Sequence, residues 1–321
     1  MGTAIQQDDV TAVIASSSTF ADQTSPYRGQ LLAHCYRMLG SIDDAEDAVQ
    51  EAMTRAWNSR ATFTRGASVR PWLYRIATNA CLDQLDRRRR DVGSAQAFAE
   101  PIPEDLLDLR NPSPEARFDA RESISLAFLA ALQLLTPRQR AVLILRDVLA
   151  WRAAEVADLL DMSLPAANSN LNRARIVLAK HYAPAGSHPE AGAGPLPGRL
   201  RSLLDRYVRA WEAADIPGLV ALLHEDAIVT MPPAVVLAGR EAIAAFLASS
   251  VFDGGREVRL LPVASNAGEA WLLSSRRGAA TSFEPYCVLV TMVDPEGSTV
   301  TRLDVFTASR TVERFVDFAG R

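Results

Sequence analysis

The sequence predicts a multi-domain chain: two all-α domains followed by an α+β domain. Three observations lead there. Apolar residues recur at intervals of three and four through residues 25–90 and again through 115–183. Two stretches, 91–114 with four prolines and an acidic balance and 184–198 rich in Pro, Gly and Ala, interrupt that periodicity and read as linkers. After Arg199 short β-rich runs bounded by Pro, Gly or Asp take over.

The first block carries three apolar stripes. They are Leu31, Leu32, Cys35, Met38 and Leu39; then Ala45, Val49, Ala52, Met53 and Ala56; then Leu73, Ile76, Ala77, Ala80 and Leu85. Gly40 is placed to close the first helix and Ser41 to cap the second. Residues 1–24 are expected to be disordered. The second block opens with Thr136-Pro137-Arg138-Gln139, where the hydroxyl and the amide side chain can satisfy each other's backbone donors and proline fills a position whose N–H is not needed. In the third block, 199–321, Leu203, Leu204, Tyr207, Val208 and Trp211 predict one amphipathic helix and Gly239 to Ala248 a second. Strands are predicted over Ala227 to Met231, Val258 to Val263, Ala270 to Ser274, Cys287 to Val293 and Val300 to Phe306.

Cys35, Cys81 and Cys287 are odd in number, distant in sequence and part of no CxxC or Cys/His cluster. Neither a disulfide framework nor a metal site is indicated, no cofactor motif is present, and a reducing cytoplasm fits. The apolar stretch Val10 to Ala15 follows Asp8 and Asp9 rather than positive charge, and no run approaches bilayer length, so no membrane contact is expected. His34, His181, His188 and His224 are isolated and read as structural or surface residues. Trp57 and Trp151 lie on apolar faces and read as core.

The net charge of −4 conceals a strong asymmetry. Arg87, Arg88, Arg89 and Arg90 are consecutive, and Arg138, Arg140, Arg146, Arg173, Arg175 and Lys180 populate the second block. Local clusters of this kind, rather than net charge, govern phosphate binding. The second block ends in a helix-turn-helix pattern: Arg152 to Leu160 support, Asp161 to Ser163 turn, Leu164 to Lys180 form the second helix. There Leu164, Ala167, Leu171, Ala174 and Leu178 face inward, leaving Asn168, Ser169, Asn170, Asn172, Arg173 and Arg175 outside. Asn168, Asn170 and Asn172 together forfeit about 1 to 2 kcal/mol of helix propensity. Base-edge and phosphate contacts supply a reason for them, since an Asn amide can bond adenine and Arg can bond guanine or phosphate. The competing reading is a solvated polar face.

A helix-turn-helix alone suits any repressor. The first block adds an acidic face on its second helix, Asp43, Asp44, Glu46, Asp47, Gln50 and Glu51, suited to a protein partner. Its third helix follows Arg65-Gly66-Ala67-Ser68 and runs through Arg70, Trp72, Tyr74, Arg75, Asn79 and Asp83 into the four arginines. Aromatics among arginines suit unstacked bases, where ring stacking contributes roughly 1 to 3 kcal/mol per base.

The stretch HCYRMLGSIDDAEDAVQEAMTRAW with RPWLYRIATNACLDQLDRRRR resembles region 2 of the extracytoplasmic-function (ECF) sigma factors. LLTPRQRAVLILRDVLAWRAAEVADLL with NSNLNRARIVLA resembles their region 4. LLDRYVRAWEAADIPGLVALLHEDAIVTMPP with AGREAIAAFL is similar to SnoaL-like domains of the NTF2-type cone fold. The order of the three looks like that of the SigG and SigJ type. The resemblance implies a non-enzymatic promoter-specificity subunit whose partners are promoter DNA and core RNA polymerase, held through the β′ clamp helices and the β flap. By position, it implies that Asp44, Glu46, Asp47, Gln50 and Glu51 meet the clamp helices. It implies that the loop Gly66 to Arg70 with Trp72, Arg75, Asn79 and Asp83 opens and reads the −10 element. Arg87 to Arg90 follow that helix directly and read as phosphate contacts, the competing reading being a solvated helix end. It also implies that Asn168, Ser169, Asn170, Arg173 and Arg175 read the −35 element. Asp161 stands where relatives often have a turn glycine, and Asn168 and Asn170 where many carry Lys or Arg.

For the last domain the resemblance leaves two readings. One is a regulatory domain with a small-molecule ligand. The other is a cyclase- or isomerase-like enzyme fused to a DNA-targeting module, with Asp304 or His224 as acid or base.

Overall fold

The computed structural model describes residues 17–63, 68–91, 99–103, 106, 125–182, 198–232, 235–278 and 280–319. Two units emerge: residues 1–99 with 107–183, and residues 100–106 with 184–321. Helices form the first: α1 (Ser17–Thr24), α2 (Arg28–Leu39), α3 (Ile42–Ser59), α4 (Val69–Asp91), α5 (Leu126–Gln133), α6 (Pro137–Leu143), α7 (Ala153–Leu159) and α8 (Leu164–His181).

The predicted stripes of α2, α3 and α4 meet as one core. Leu31, Cys35, Met38, Ile42, Ala45, Val49, Leu73, Tyr74 and Ala77 are all buried. Each fully buried large side chain contributes about 1.5 to 3 kcal/mol before entropy is counted. Gly40 ends α2 in the left-handed conformation, φ 77°, and a Cβ there would meet Gln133 Nε2 at 2.8 Å. Ser41 precedes α3, but its hydroxyl accepts no capping bond. Cys35 and Cys81, far apart in sequence, are neighbours here as free, buried thiols, and burial and the Cys35 thiol push Cys81 well up.

Residues 17–24, expected to be disordered, form α1 instead. Phe20 is buried edge-on against Trp57, ring centres 5.3 Å apart, a contact no local pattern announces. Trp57 is accordingly half-buried, with the Arg60 guanidinium 3.7 Å from its ring centre. Residues 1–16 and most of both predicted linkers lie outside the described residues.

The Thr136–Gln139 capping box forms in both directions. At its far end α6 widens into a π-turn, Ile144–Val148, and Ala150 takes φ 56°. Arg146 Nη1 donates to Trp151 O at 2.6 Å, holding that strained turn so that Trp151 is buried, as predicted.

The second unit contains α9 (Gly198–Glu212), α10 (Ile216–Leu222), β1 (Leu223–Met231), β2 (Val235–Ala238), α11 (Arg240–Phe246), β3 (Glu257–Val263), β4 (Ala270–Arg276), β5 (Glu284–Val293), β6 (Val300–Phe306) and α12 (Ser309–Ala319). The sheet order is β2-β1-β6-β5-β4-β3. Only the β1–β6 pair is parallel. All five predicted strands form. Strand β2 and helices α10 and α12 were not foreseen; the signal for α12 is Val312 and Phe315, three apart and both buried. Part of the predicted 91–114 linker belongs to this unit. Ile102 is fully buried, its N–H donates to Asn266 Oδ1 at 2.8 Å, and Asn266 N–H returns a bond to Ile102 O at 3.1 Å.

His34, read as structural, sits wholly inside the helical core. Thr78 Oγ1 donates to Tyr74 O at 2.7 Å, so at 2.9 Å it accepts from His34 Nε2–H. Nδ1 is buried without a partner, and burial, followed by the nearby Arg37 guanidinium, pulls the imidazole pKa from 6.5 down to about 3. The unfolded chain therefore binds a proton at His34 from pH 6.5 downward while the folded chain does not. This contribution is fully present above pH 6.5 and is lost as pH falls toward 3, at about 1.4 kcal/mol per pH unit. Urea unfolding across this range should show His34→Gln flattening the pH dependence of stability; an unchanged slope would rule out this role.

Candidate functional site

The acidic face of α3 presents Glu46, Asp47, Gln50 and Glu51 to solvent, behind which Ala45, Ala48, Val49 and Ala52 are buried. The i, i+3, i+4 spacing of the alanines and valine makes one side apolar and leaves the carboxylates the other. Asp44 departs from that face. It accepts from Gln84 Nε2 at 2.8 Å and pairs with Arg88, tying α3 to α4. Glu51 pairs with Arg55 at 2.7 Å, and the same guanidinium reaches Asp83 at 2.7 Å. Exposed pairs of this kind contribute roughly 0 to 1 kcal/mol each.

On α4 the predicted base-reading residues fall into two groups. Asp83, Arg87, Arg89 and Arg90 are exposed, Asn79 is half-buried, and Arg88 is held by Asp44. At the start of the helix, Arg70, Trp72 and Arg75 face a groove of about 490 Å³ whose other wall is Trp151, Glu155 and Asp158. Arg75 Nη2 donates to Asp158 O at 2.9 Å and pairs with its carboxylate. Arg70 lies 5.6 Å from the Tyr74 ring centre and 5.7 Å from that of Trp151, and Trp72 packs on Phe63 at 4.8 Å. Residues 64–67, which include Gly66 of the predicted loop, lie outside the described residues.

The helix-turn-helix forms as read, α7 then α8. Asp161 turns the chain with φ 49°, a conformation glycine adopts without the Cβ penalty of about 1 to 2 kcal/mol. Ser163 caps α8 by accepting from Ala166 N–H at 3.3 Å. Asn168, Ser169, Asn172 and Arg173 are exposed on α8 over buried Ala167, Leu171 and Ala174. Leu164, assigned inward, is 45 % exposed because it occupies the first turn, where α7 does not cover it. Asn170 is half-buried and spends its Nδ2 on Ala166 O at 2.9 Å. Arg175 makes a two-pronged pair with Asp147, 2.9 and 2.7 Å.

Two arginines of the basic stretch are structural. Arg146 holds the π-turn, and Arg140 is 3 % exposed. Arg140 donates to Met38 O, to Gln133 Oε1 at 2.7 Å, and to Leu135 O and Gln133 O at 3.3 and 3.4 Å. Burial pulls its pKa down to about 10, still protonated near neutrality. Nothing local in the sequence separates Arg140 from Arg138; only the packing partners do.

Family models agree with this layout. Residues 25–91 match Sigma-70 region 2, 125–178 match Sigma-70 region 4, and 204–310 match the SnoaL-like domain. The ECF RNA polymerase sigma factor SigE of Mycolicibacterium smegmatis is 30% identical over 186 residues, which span 58% of this chain and 70% of that protein. The chain belongs to the ECF sigma factor family. SigG of Mycobacterium tuberculosis, another ECF RNA polymerase sigma factor, is 47% identical over 231 residues, 67% of this chain and 61% of SigG, so the match spans about three fifths of that relative. The crystal structure of SigJ from the same species, at 23% identity, superposes with a TM-score of 0.59 over 93% of this chain and 99% of SigJ, which supports the shared fold. Within this family frame α2 to α4 are region 2, and α5 to α8 are region 4. Among the described residues no helix is long and apolar enough to cross a membrane.

In the SnoaL-like domain, neither residue considered for acid–base chemistry lines the internal cavity. Leu303 and Val305 of β6 both line it, so alternation turns Asp304 through the opposite face. There it pairs with Thr230 Oγ1 and with Arg302 Nε at 2.8 Å. His224 is half exposed and accepts from Asp226 N–H at 3.2 Å.

Proposed function

We propose that this protein is a promoter-specificity subunit that joins core RNA polymerase through the acidic face of α3 and reads promoter DNA with α4 and α8. The observation that carries the reading is the pairing, in one chain of this family, of a solvent-facing carboxylate row on an apolar-backed helix with an Asn/Ser/Arg row on the exposed side of a helix-turn-helix. Glu46, Asp47, Gln50 and Glu51 form the contact with the β′ clamp helices, and region 4 takes the β flap. Arg173, exposed and, among the described residues, without the kind of pair that holds Arg175, is the foremost base or phosphate contact of α8, with Asn168 and Ser169 beside it. For Trp72 and Arg75 to meet unstacked bases of the −10 element, Arg75 exchanges the Asp158 carboxylate for DNA. Engagement of the −10 element thus competes with the packing of α7 against α4.

The C-terminal domain regulates this activity in our reading. Support comes from residues 100–103, which belong to the connection between regions 2 and 4 and are bound by the β3–β4 turn of the C-terminal domain through Ile102 and Asn266. Anything that alters that domain therefore acts on the tether between the two DNA-reading regions.

Asp47→Arg combined with Glu51→Arg should abolish co-purification with core polymerase; unimpaired assembly would remove the assignment of that face. Arg173→Ala should weaken binding of the cognate promoter by about 1 to 3 kcal/mol in a footprinting titration if the contact is bidentate, and an unaltered −35 footprint counts against it. Shortening the chain to end at Ala183 should change transcript yield from a cognate promoter at equal holoenzyme concentration. Equal yield from both forms would eliminate the regulatory role.

A further inference from the structure

We propose that the interior of the C-terminal cone is a binding site for a small amphiphilic anion: a rigid apolar body, one or two rings in size, bearing a single carboxylate-like group held by Arg256. The cavity measures about 260 Å³. At roughly 30 Å³ per molecule of liquid that is space for eight or nine waters, yet most of its wall is hydrocarbon and aromatic: Leu219, Val229, Ile243, Leu289, Val305 and the ring of Trp211 among others. Water held there finds too few partners, and an apolar occupant gains by displacing it.

Charge enters at one point. Among the described residues of the lining, Arg256 alone carries a charge. It is half-buried and follows Gly254 and Gly255, both at positive φ, 67° and 71°. Its guanidinium lies 4.8 Å from the centre of the Tyr286 ring, another lining residue. Its Nε is buried without a hydrogen-bond partner, and no ion pair to it is found among the described residues. Elsewhere in this domain Arg276 has Glu257, Arg302 has Asp304 and Arg240 has the Leu223 carbonyl. A half-buried guanidinium with spare donors at an apolar cavity selects a planar anion, because the fork matches a carboxylate and the surroundings screen it weakly. Tyr286 fixes the plane of that fork by stacking. Cys287, which also lies beside Arg256, stays a neutral thiol: burial pushes it up to about 12, against the lowering effect of Arg256. It adds no competing charge at neutral pH. The inference concerns binding alone and does not depend on how the helical regions engage polymerase.

Calorimetry of the full-length chain with 2-naphthoate and with its neutral counterpart 2-naphthalenemethanol tests it. The acid is expected to bind with a negative heat-capacity change and at least about tenfold more tightly than the alcohol, a difference of about 1.4 kcal/mol. Arg256→Gln should erase that preference, bringing the acid's affinity down to that of the alcohol. Val305→Phe, or Ile243→Phe should the first fail to fold, should weaken both probes at unchanged Tm. Absence of binding at millimolar probe, equal affinity for acid and alcohol, a preference that survives Arg256→Gln, or full binding in the folded cavity-filled variant would each overturn the proposal.

Discussion

Arg140, with Arg37 one of two arginines buried among the described residues of the helical unit, ties its helices together. Arg140 leaves its own helix, reaches the carbonyl that ends α2, and binds the side chain and backbone of Gln133 and the carbonyl of Leu135 on the way. A guanidinium out of water loses several kcal/mol of hydration, and here its two Nη groups recover part of that from backbone carbonyls near helix ends and from Gln133 Oε1, while Nε is buried without a partner. Gly40 belongs to the same arrangement. Its missing Cβ lets the Gln133 amide approach, and its left-handed φ turns the chain so that Met38 O is free to accept. Region 2 and region 4 are thereby joined through polar bonds with fixed direction, where apolar packing alone would tolerate sliding.

That junction decides which arginines are held inside the protein. Arg140 and Arg146 are consumed by helix ends, Arg175 by Asp147 and Arg88 by Asp44. Arg173, Arg87 and Arg89 are exposed, as is Arg90, whose Nε donates to Asp86 O at 3.2 Å. The same packing sets Trp72 and Arg75 opposite α7. Trp72 and Arg75 of region 2 thus share one groove with Trp151 and Asp158 of region 4.

The C-terminal domain obeys a different constraint. Its sheet presents one face to a cavity and the other to α12, and strand alternation assigns residues strictly between them. Asp304, a residue with evident chemical potential, falls on the α12 side with Arg302 and Thr230, and what lines the cavity instead is hydrocarbon, aromatic rings and Arg256. Among the described residues, that lining contains no carboxylate or imidazole.

Much of the molecule was legible in the sequence, because helical and strand periodicities are local. The three blocks, the stripes of α2 to α4, the capping box at Thr136, the helix-turn-helix and five of the six strands follow from spacing alone. So does the division of α3 into an acidic and an apolar side, and the family resemblance adds roles to those faces. What the sequence could not contain is partnership at long range. Asp158 lies 83 residues from Arg75, Arg140 lies 102 residues from Met38, and Asn266 lies 164 residues from Ile102. Whether an arginine is a recognition residue or a structural bolt, and whether a segment such as 17–24 or 100–103 is ordered, depends on which distant surface meets it. Composition sets the donors a chain carries; only folding decides which of them are spent internally and which are left for a partner.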